Sequence, residues 1–305
     1  MNAGRFAQRL LSSLGVVFGA VTLVFLILNW LPGDPAELVA GEDASAETVA
    51  RVRAQLGTDR PLGEQYLSYL GHLASGDLGK SYVSREPVAR RLAAQFPATA
   101  TLTLLGCAVA VLVGVSLGVL SARHAGRWPD QLIQALALWL HSMPGFWLGI
   151  LLILLFSVTL GWLPVLGQTG AALVLPVMAL GLVVSVPILR MVRDGMLDGL
   201  HEPYVTTLRA KGLGESRIFY GHVLRNALIP TVTLLGVVVG ELLSGAVIVE
   251  TLFARQGIGR VTVEAIGQKD IPVVQGAILV ASVAFVVVNL LVDLSYTLID
   301  PRVRS

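Results

Sequence analysis

Long apolar runs, separated by polar segments, are the dominant pattern along the chain. A run of about 18 or more mostly apolar residues is long enough to cross a bilayer as a helix. Backbone N–H and C=O groups in lipid must be hydrogen-bonded within such a segment, so each run predicts a helix. Six spans are predicted in this way, at residues 10–31, 98–122, 132–160, 171–191, 227–252 and 277–299. The pattern therefore predicts an all-α, polytopic transmembrane helix bundle.

The third run, residues 132–160, is longer than a bilayer requires and contains Pro144. Proline lacks a backbone donor and crowds the preceding turn, so kinks in long helices often occur at proline. We expect this span to kink at Pro144.

The first run, residues 10–31, is either a membrane anchor or the apolar part of a cleaved signal peptide. Arg5 and Arg9 precede it, as basic residues precede both. A signal peptide has only about 7–15 apolar residues before a cleavage site with small residues. No such site occurs before Pro32. We predict an uncleaved anchor and an N-terminal region at residues 1–31.

The composition agrees with a protein that lies in a lipid bilayer. Hydrophobic residues make up 54% of the 305 residues and charged residues only 14%. Soluble domains carry about 25% charged residues. The mean hydropathy is +0.74. The formal net charge of +2 is too small to indicate binding of nucleic acid, and none is predicted.

Basic residues are distributed unevenly over the predicted loops, and short loops rich in Lys and Arg stay in the cytoplasm. The loop at 161–170 has no charged residue. Both termini are therefore predicted to be cytoplasmic, residues 32–97 form an extracytoplasmic segment, and residues 98–305 form a transmembrane core with a polar cytoplasmic loop at 193–226. The basic residues on the cytoplasmic side are Arg5, Arg9, Arg123, Arg127, Arg190, Arg193, Arg209, Lys211, Arg217, Arg225, Arg302 and Arg304.

Three spans carry pairs of glycines four positions apart, a spacing that lets helix backbones approach closely. We expect these glycines at contacts between helices. The pairs are Gly15 and Gly19, Gly114 and Gly118, and Gly236 and Gly240.

The segment 74–81 nearly matches a nucleotide-binding P-loop and ends in Gly79, Lys80 and Ser81. A P-loop cradles phosphates only where a strand precedes it and a helix follows it. No such unit is apparent here, and the predicted topology places the segment outside the cytoplasm, away from ATP. We expect a glycine-rich turn, and we predict no catalytic residue, cofactor or metal site and no ATP hydrolysis in this chain.

The loop at 193–226 is the longest polar stretch assigned to the cytoplasm. Its pattern predicts a helix, a break at Gly212–Gly214 and a second helix. Glu215 would lie in the first turn of that second helix and Arg225 in its last, where both complement the helix dipole. Such a pair of short helices is suited to docking a soluble partner. A solvated connector is the alternative.

This loop resembles the EAA-type coupling loop of ABC-importer permeases, in the form found in the dipeptide, oligopeptide and nickel branch. That form typically reads Tyr-x-x-x-x-Arg-Ala-Lys-Gly-Leu, followed by His-x-Leu-Arg-Asn-Ala-x-x-Pro. The acidic residue that gives the wider motif its name is absent, with Thr206 near its place. The matching residues are Tyr204, Arg209, Ala210, Lys211, Gly212 and Leu213, then His222, Leu224, Arg225, Asn226, Ala227 and Pro230.

The resemblance extends over nearly the whole chain. Proline is more usual in this family where Gln256 stands, which leaves the turn there less well defined. The N-terminal motifs are similar to those of the first, B-type permease of a pair. Other matching strings begin at Leu31, Leu56, Gly76, Phe96, Met143, Glu250, Asp270 and Asp300.

The resemblance implies a type I ABC-importer permease fold and a subunit of an ATP-driven, binding-protein-dependent importer in the bacterial inner membrane. The implied partners are a homologous second permease, two ATPase subunits that bind ATP and Mg²⁺, and an extracytoplasmic substrate-binding protein. The implied substrates are di- and oligopeptides. Nickel or a metal chelate is the alternative within the family, and an ion-gradient-driven secondary transporter is the alternative from another class.

The resemblance assigns ATPase coupling to one set of residues in the loop, and the glycine at its break would permit a close turn. These residues are Tyr204, Thr206, Thr207, Arg209, Ala210, Lys211, Gly212, Leu213, His222, Arg225 and Asn226.

Glu241 is an acidic residue well inside the fifth predicted span. An ionisable side chain within the membrane is costly and often serves transport. Glu241 would line the translocation pathway and meet a cationic group of the substrate. The alternative is a structural carboxylate hydrogen-bonded to a neighbouring span.

Overall fold

The computed structural model describes residues 3–30, 33–41 and 43–299. Within these ranges all regular structure is helical, apart from an isolated antiparallel bridge between Lys80 and Pro87. The predicted all-α class is confirmed. The α-helices are α1 (Ala3–Trp30), α2 (Pro35–Ala40), α3 (Ala46–Leu56), α4 (Leu62–Ala74), α5 (Val88–Arg123), α6 (Trp128–His141), α7 (Gly145–Leu152), α8 (Val174–His201), α9 (Pro203–Ala210), α10 (Glu215–Arg217), α11 (Leu224–Leu252), α12 (Ile258–Gly267) and α13 (Ile271–Ile299).

Five helical segments in the described ranges are long and apolar enough to cross a membrane, and a bent pair of helices makes a sixth if the pair crosses as one span. The prediction of about six spans is confirmed. The five segments are Leu11–Trp30, Val88–Arg123, Gly170–His201, Glu215–Leu252 and Ile271–Val292.

The third predicted span is a broken helix pair. Trp128–His141 and Gly145–Thr159 meet at an angle of 106°. Pro144 precedes α7 with φ −61° and ψ 136°. Because proline supplies no N–H and forces the residue before it out of the helical conformation, α6 ends and α7 starts afresh. The kink predicted at Pro144 is therefore a full break.

Helix α5 begins at Val88, well before the apolar run that starts at residue 98. Its first turns contain arginines and Pro97, so hydropathy alone hides this part of the helix. Val88 and Leu92 are nevertheless buried, at 0% and 2% exposure. Burial of one face, rather than a continuous apolar run, stabilises this extension.

The described part of the chain forms two compact units. The first comprises residues 100–255 with the part of α13 from residue 287 onward, and the second comprises the described residues up to 99 with residues 256–286.

The first unit is organised around the packing of α8 on α11. Its core contains Leu180, Ile188, Leu242, Ala246 and Phe253, all at most 4% exposed. Burial of such side chains contributes about 1.5–3 kcal/mol each in water, although in lipid close packing replaces the hydrophobic effect.

Three of the predicted glycines lie at close helix contacts, and a Cβ atom at one of them, Gly236, would lie 2.6 Å from Oδ1 of Asn289 in α13. A Cβ atom at Gly114 would lie 2.7 Å from the Cβ of Ile188, and one at Gly118 would lie 2.7 Å from the carbonyl oxygen of Leu189. A Cβ atom at Gly15 or Gly19 would have no neighbouring heavy atom of another turn or helix within 4 Å. Within the first unit, therefore, α5 approaches α8 at a distance that only glycine allows.

The second unit has its own apolar core and a cap of short helices. Val88, Leu92, Ile258, Val273 and Val274 form the core. Helix α2 is capped by the carboxylate of Asp34, which accepts a hydrogen bond from Ala36 N–H at 2.8 Å. In this unit the side chain of α1 residue Phe25 stacks on that of Tyr69 in α4, with ring centroids 5.7 Å apart.

The carboxylate of Asp130, in the first turn of α6, is the most densely bonded polar group of the first unit. It accepts hydrogen bonds from the Ser121 hydroxyl at 2.5 Å, Gly126 N–H at 2.9 Å and Arg193 at 2.8 and 2.9 Å. Only 3% of Asp130 is exposed. Because Ser121 lies in α5 and Arg193 in α8, this one side chain joins three helices.

We expect Asp130→Asn to destabilise the protein, because it leaves the half-buried guanidinium of Arg193 without its main anionic partner. Breaking a buried ion pair costs on the order of 3–5 kcal/mol. The measurement is the thermal unfolding midpoint of the purified protein. Asp194→Asn is the matched control, because Asp194 is the exposed second partner of Arg193. Equal shifts of the midpoint in both variants would contradict the assignment.

Candidate functional site

The predicted coupling loop is a helix, a turn and a second helix. Helix α9 begins with Pro203 at its first position and ends at Ala210. Gly212 adopts a left-handed φ of 80°. Its N–H donates to Arg209 C=O at 2.9 Å, and Leu213 N–H donates to Leu208 C=O at 3.2 Å. This pattern ends the helix through a left-handed residue, a conformation that glycine adopts without steric cost.

Helix α9 is anchored to the first unit by its apolar side. Val205 is fully buried, and Tyr204, Leu208 and Leu213 pack against the same core. Tyr204 and Leu213 thus serve as anchors of the turn. The other predicted residues of this segment form its exposed surface; they are Thr206, Thr207, Arg209, Ala210, Lys211 and Gly212.

The turn is closed by an ion pair across it. Arg209 Nε donates to Glu215 Oε1 at 2.7 Å, and Arg209 Nη2 donates to Glu215 Oε2 at 3.2 Å. The hydrogen bonds to Glu215 raise the pKa of Arg209. Both side chains are exposed, so the pair orients the turn more than it stabilises the fold.

The predicted second short helix is wrong in its extent. From Glu215 the chain is helical without interruption to Leu252, through α10, a π-helical segment at Ile218–Val223, and α11. Arg225 therefore lies inside this helix and not in a last turn. The buried positions Ile218, Val223 and Ala227 continue one apolar face, and Pro230 lies inside α11 without ending it.

His222 lies in the π-helical segment and is half-buried, whereas Arg225 and Asn226 are exposed on the first turn of α11. The π-helical segment thus separates Arg225 and Asn226 from the exposed turn around Gly212. A short π-helical segment inside an α-helix is often found at functional positions.

Glu241 lines a cavity of about 200 Å³ in the first unit. Phe146, Val183, Gly245 and Ile248 are among its other lining residues, and all of the remaining ones are apolar too. Glu241 is exposed and makes no hydrogen bond or ion pair with the described part of the chain. The structural alternative, a hydrogen bond to a neighbouring span of this chain, is therefore absent among those residues.

The P-loop-like segment is a turn, as expected. Helix α4 precedes it, and Gly76 and Gly79 adopt left-handed φ values of 76° and 74°. The hydroxyl of Ser81 donates to Asp270 Oδ2 at 2.5 Å, and Tyr82 N–H donates to Asp270 Oδ1 at 2.9 Å. Asp270 is fully buried and lies just before α13, so the segment positions the start of that helix.

Arg255 is a residue whose place sequence reasoning did not single out. Only 2% of it is exposed, and its Nη1 donates to Gln168 C=O at 3.3 Å. Burial lowers the pKa of its guanidinium, and the charge of Glu250 opposes this effect. Ala254 beside it has a left-handed φ of 49°. In the sequence, Arg255 is part of the family-like string from Glu250 to Gly259, which also contains its acidic neighbour Glu250.

The chain resembles known proteins over almost its full length. It is 42% identical over 298 residues to the glutathione transport system permease protein GsiC of Escherichia coli (strain K12), with 97% of each chain covered. The corresponding protein of Salmonella typhimurium (strain LT2) is also 42% identical over 97% of each chain. A chain of the inward-facing MetNI methionine ABC transporter matches with a TM-score of 0.59, at 18% identity, over 70% of this chain and 99% of that chain.

Two family profiles match the chain. Residues 5–103 match the N-terminal region of binding-protein-dependent transport system membrane components, and residues 114–305 match the family described as binding-protein-dependent transport system inner membrane component. The second match covers more than half of the chain. The fold is that of a type I importer permease. The chain therefore belongs to the binding-protein-dependent transport system inner membrane components and is a multi-pass permease subunit of an ABC importer.

Proposed function

We propose that the chain is the translocation subunit of an ATP-driven importer of di- and oligopeptides in a bacterial cytoplasmic membrane. The geometry of α9, the turn at Gly212 and the continuous helix from Glu215 to Leu252 is the observation that carries this proposal. It presents an exposed turn directly joined to a membrane-spanning helix. The similarity to permeases named for glutathione, a small peptide, supports the substrate class.

The proposed complex contains a second, homologous permease, two ATPase subunits and an extracytoplasmic binding protein. In it this chain takes the B-type position. The residues that contact an ATPase subunit are the exposed ones on the turn, above all Arg209 and Lys211. ATP and Mg²⁺ bind in the ATPase subunits, and this chain holds neither. Closure of the ATPase pair moves α9 as a lever and tilts the spans between two states.

Uptake into proteoliposomes that contain the complete complex tests this function. We expect uptake of short peptides that requires ATP, the binding protein and this chain together. Uptake by this chain alone under an ion gradient would contradict the proposal. Uptake of a nickel chelate without peptide uptake would show that the substrate is a metal chelate and not a peptide. The assignment as an importer would then remain.

We expect Gly212→Val to reduce ATP-driven uptake several-fold. A left-handed conformation costs a residue with a Cβ atom about 1–2 kcal/mol, so the turn at Gly212 would reorganise. Gly212→Asn should retain uptake, because asparagine tolerates this conformation. The measurements are uptake and the amount of ATPase subunit that copurifies with the permease pair.

Gly214→Ala is the matched control for the Gly212 variants. Gly214 has an ordinary φ of −67°, and nothing lies within 4 Å of the position that a Cβ atom would take there. This variant should bind the ATPase subunits normally. Wild-type uptake by Gly212→Val would show that the turn is not the coupling element.

We expect Glu241→Gln to lower peptide uptake several-fold and Glu241→Asp to retain most of it. A carboxylate in an otherwise apolar cavity attracts a cationic group such as the amino terminus of a peptide. The comparison separates charge from size, because Gln keeps the size of the side chain and Asp keeps its charge. Wild-type uptake by Glu241→Gln would remove Glu241 from the pathway.

A further inference from the structure

The second unit contains a cavity of about 700 Å³ that the proposed transport mechanism does not use. It lies among the end of α1, helices α3 and α4, the turn at residues 76–85 and the start of α13. Sites for small molecules have volumes of about 300–1,000 Å³. The cavity is thus large enough for a short peptide.

The charged side chains around this cavity are mostly basic. Arg53, Arg60, Lys80 and Arg85 line it, together with the two acidic residues Asp34 and Asp77. Both acidic groups are engaged within the chain. Asp34 accepts from Arg53 Nε at 2.9 Å, and Asp77 accepts from Gly79 N–H at 2.8 Å.

Three of the basic side chains have no carboxylate partner in the part of the chain that the structure describes. These are Arg60, Lys80 and Arg85, and all three are exposed. Like charges around one cavity repel one another, and an anionic ligand removes this repulsion.

Tyr69 adds a neutral donor to the same cavity. Its hydroxyl is buried and has no hydrogen-bond partner among the described residues. Burial, with a smaller effect of Tyr66, raises the pKa of Tyr69 to about 12. The group therefore keeps its proton at neutral pH, and a buried hydroxyl without a partner is costly unless a ligand accepts its hydrogen bond.

Arg85 is held in an unfavourable backbone conformation at the edge of the cavity. Its φ is 62°, in the left-handed region, and its N–H donates to Ser81 C=O at 3.1 Å. Residues other than glycine adopt this conformation at a cost, often at functional positions. The turn that carries Lys80 and Arg85 is thus fixed in place and directs both residues to one cavity.

We propose that this cavity binds the carboxylate groups of short anionic peptides, with Lys80 and Arg85 as the charged donors and Tyr69 as the neutral donor. The inference rests on the proposed function, in which the cavity lies on the extracytoplasmic side. About half of the other lining residues are polar, among them Gln65, Ser68 and Gln275. A ligand that has charged and polar groups, such as a short peptide, fits this lining.

Binding of a tripeptide acid and of its C-terminal amide to the full complex tests the proposal. The complex is held in nanodiscs of neutral phosphatidylcholine without the binding protein, and Kd is measured by calorimetry. We expect the acid to bind roughly tenfold or more tightly than the amide, because charge-assisted hydrogen bonds to the carboxylate are lost. Equal affinity for both peptides, or no binding of the acid, would overturn the inference.

Variants of the complex identify the site. We expect the double substitution Lys80→Gln and Arg85→Gln to raise the Kd of the acid roughly tenfold or more and to leave that of the amide unchanged. Tyr69→Phe should weaken the acid less. Arg51→Gln is the matched control, since Arg51 pairs with Glu47 and does not line the cavity. Equal weakening by Arg51→Gln would place the effect outside the cavity.

Two further outcomes distinguish this inference from the proposed function. Loss of the acid's binding when phosphatidylglycerol replaces the neutral lipid would assign the cavity to lipid phosphate and overturn the inference. ATP-driven peptide uptake that is unchanged in every variant, with unchanged peptide affinity, would also overturn it and leave the transport function intact. A complex without any peptide uptake would contradict the proposed function itself.

Discussion

A charged group that is removed from water must find its partner within the protein, because apolar side chains offer none. Three aspartates meet this constraint in the same way. Asp34, Asp130 and Asp270 each lie at or next to the start of a helix, where the helix dipole favours a negative charge. Each also accepts backbone N–H groups or faces an arginine from a distant part of the chain. Each carboxylate therefore fixes where a helix begins.

Some charged and polar groups that line cavities lack such a partner. Glu241, the cations around Lys80 and the hydroxyl of Tyr69 have none in the described part of the chain. The hydroxyls of Thr103 and Tyr204 and Nε of Arg255 are also buried without a hydrogen-bond partner among the described residues, so a missing partner alone does not mark a site. Glu241, Lys80 and Tyr69 differ in that each lines a cavity, and there a partner from outside the chain accounts for the arrangement best.

The spans could be predicted from sequence because the requirement of lipid for apolar residues acts locally. The start of α5 at Val88 could not, since its first turns are amphipathic and depend on burial of Val88 and Leu92. The pairing of Ser81 with Asp270 could not either, because the two residues lie 189 positions apart. No local pattern links them, and only packing brings them together.

For the coupling loop, the motif located the exposed turn but did not predict the continuous helix that follows it. The left-handed residue at Gly212 follows from its residue type. The continuous helix beyond Glu215 follows from burial of Ile218 and Val223, which the polarity of the surrounding residues obscures. Tyr204 and Leu213 matched the motif as surface residues would, yet they pack on the core.

This continuity bears on how the proposed lever works. Glu215 closes the exposed turn through Arg209, and Glu241 lies on the same unbroken helical run to Leu252. A helix is stiff along its axis, so a displacement of the turn along that axis would reach Glu241 with little loss. The π-helical segment at Ile218–Val223 and Pro230, which has no backbone N–H, are places where this run departs from regular α-helical bonding. Bending there would absorb a rotation of the turn, so that only the component of the motion along the helix axis would reach Glu241.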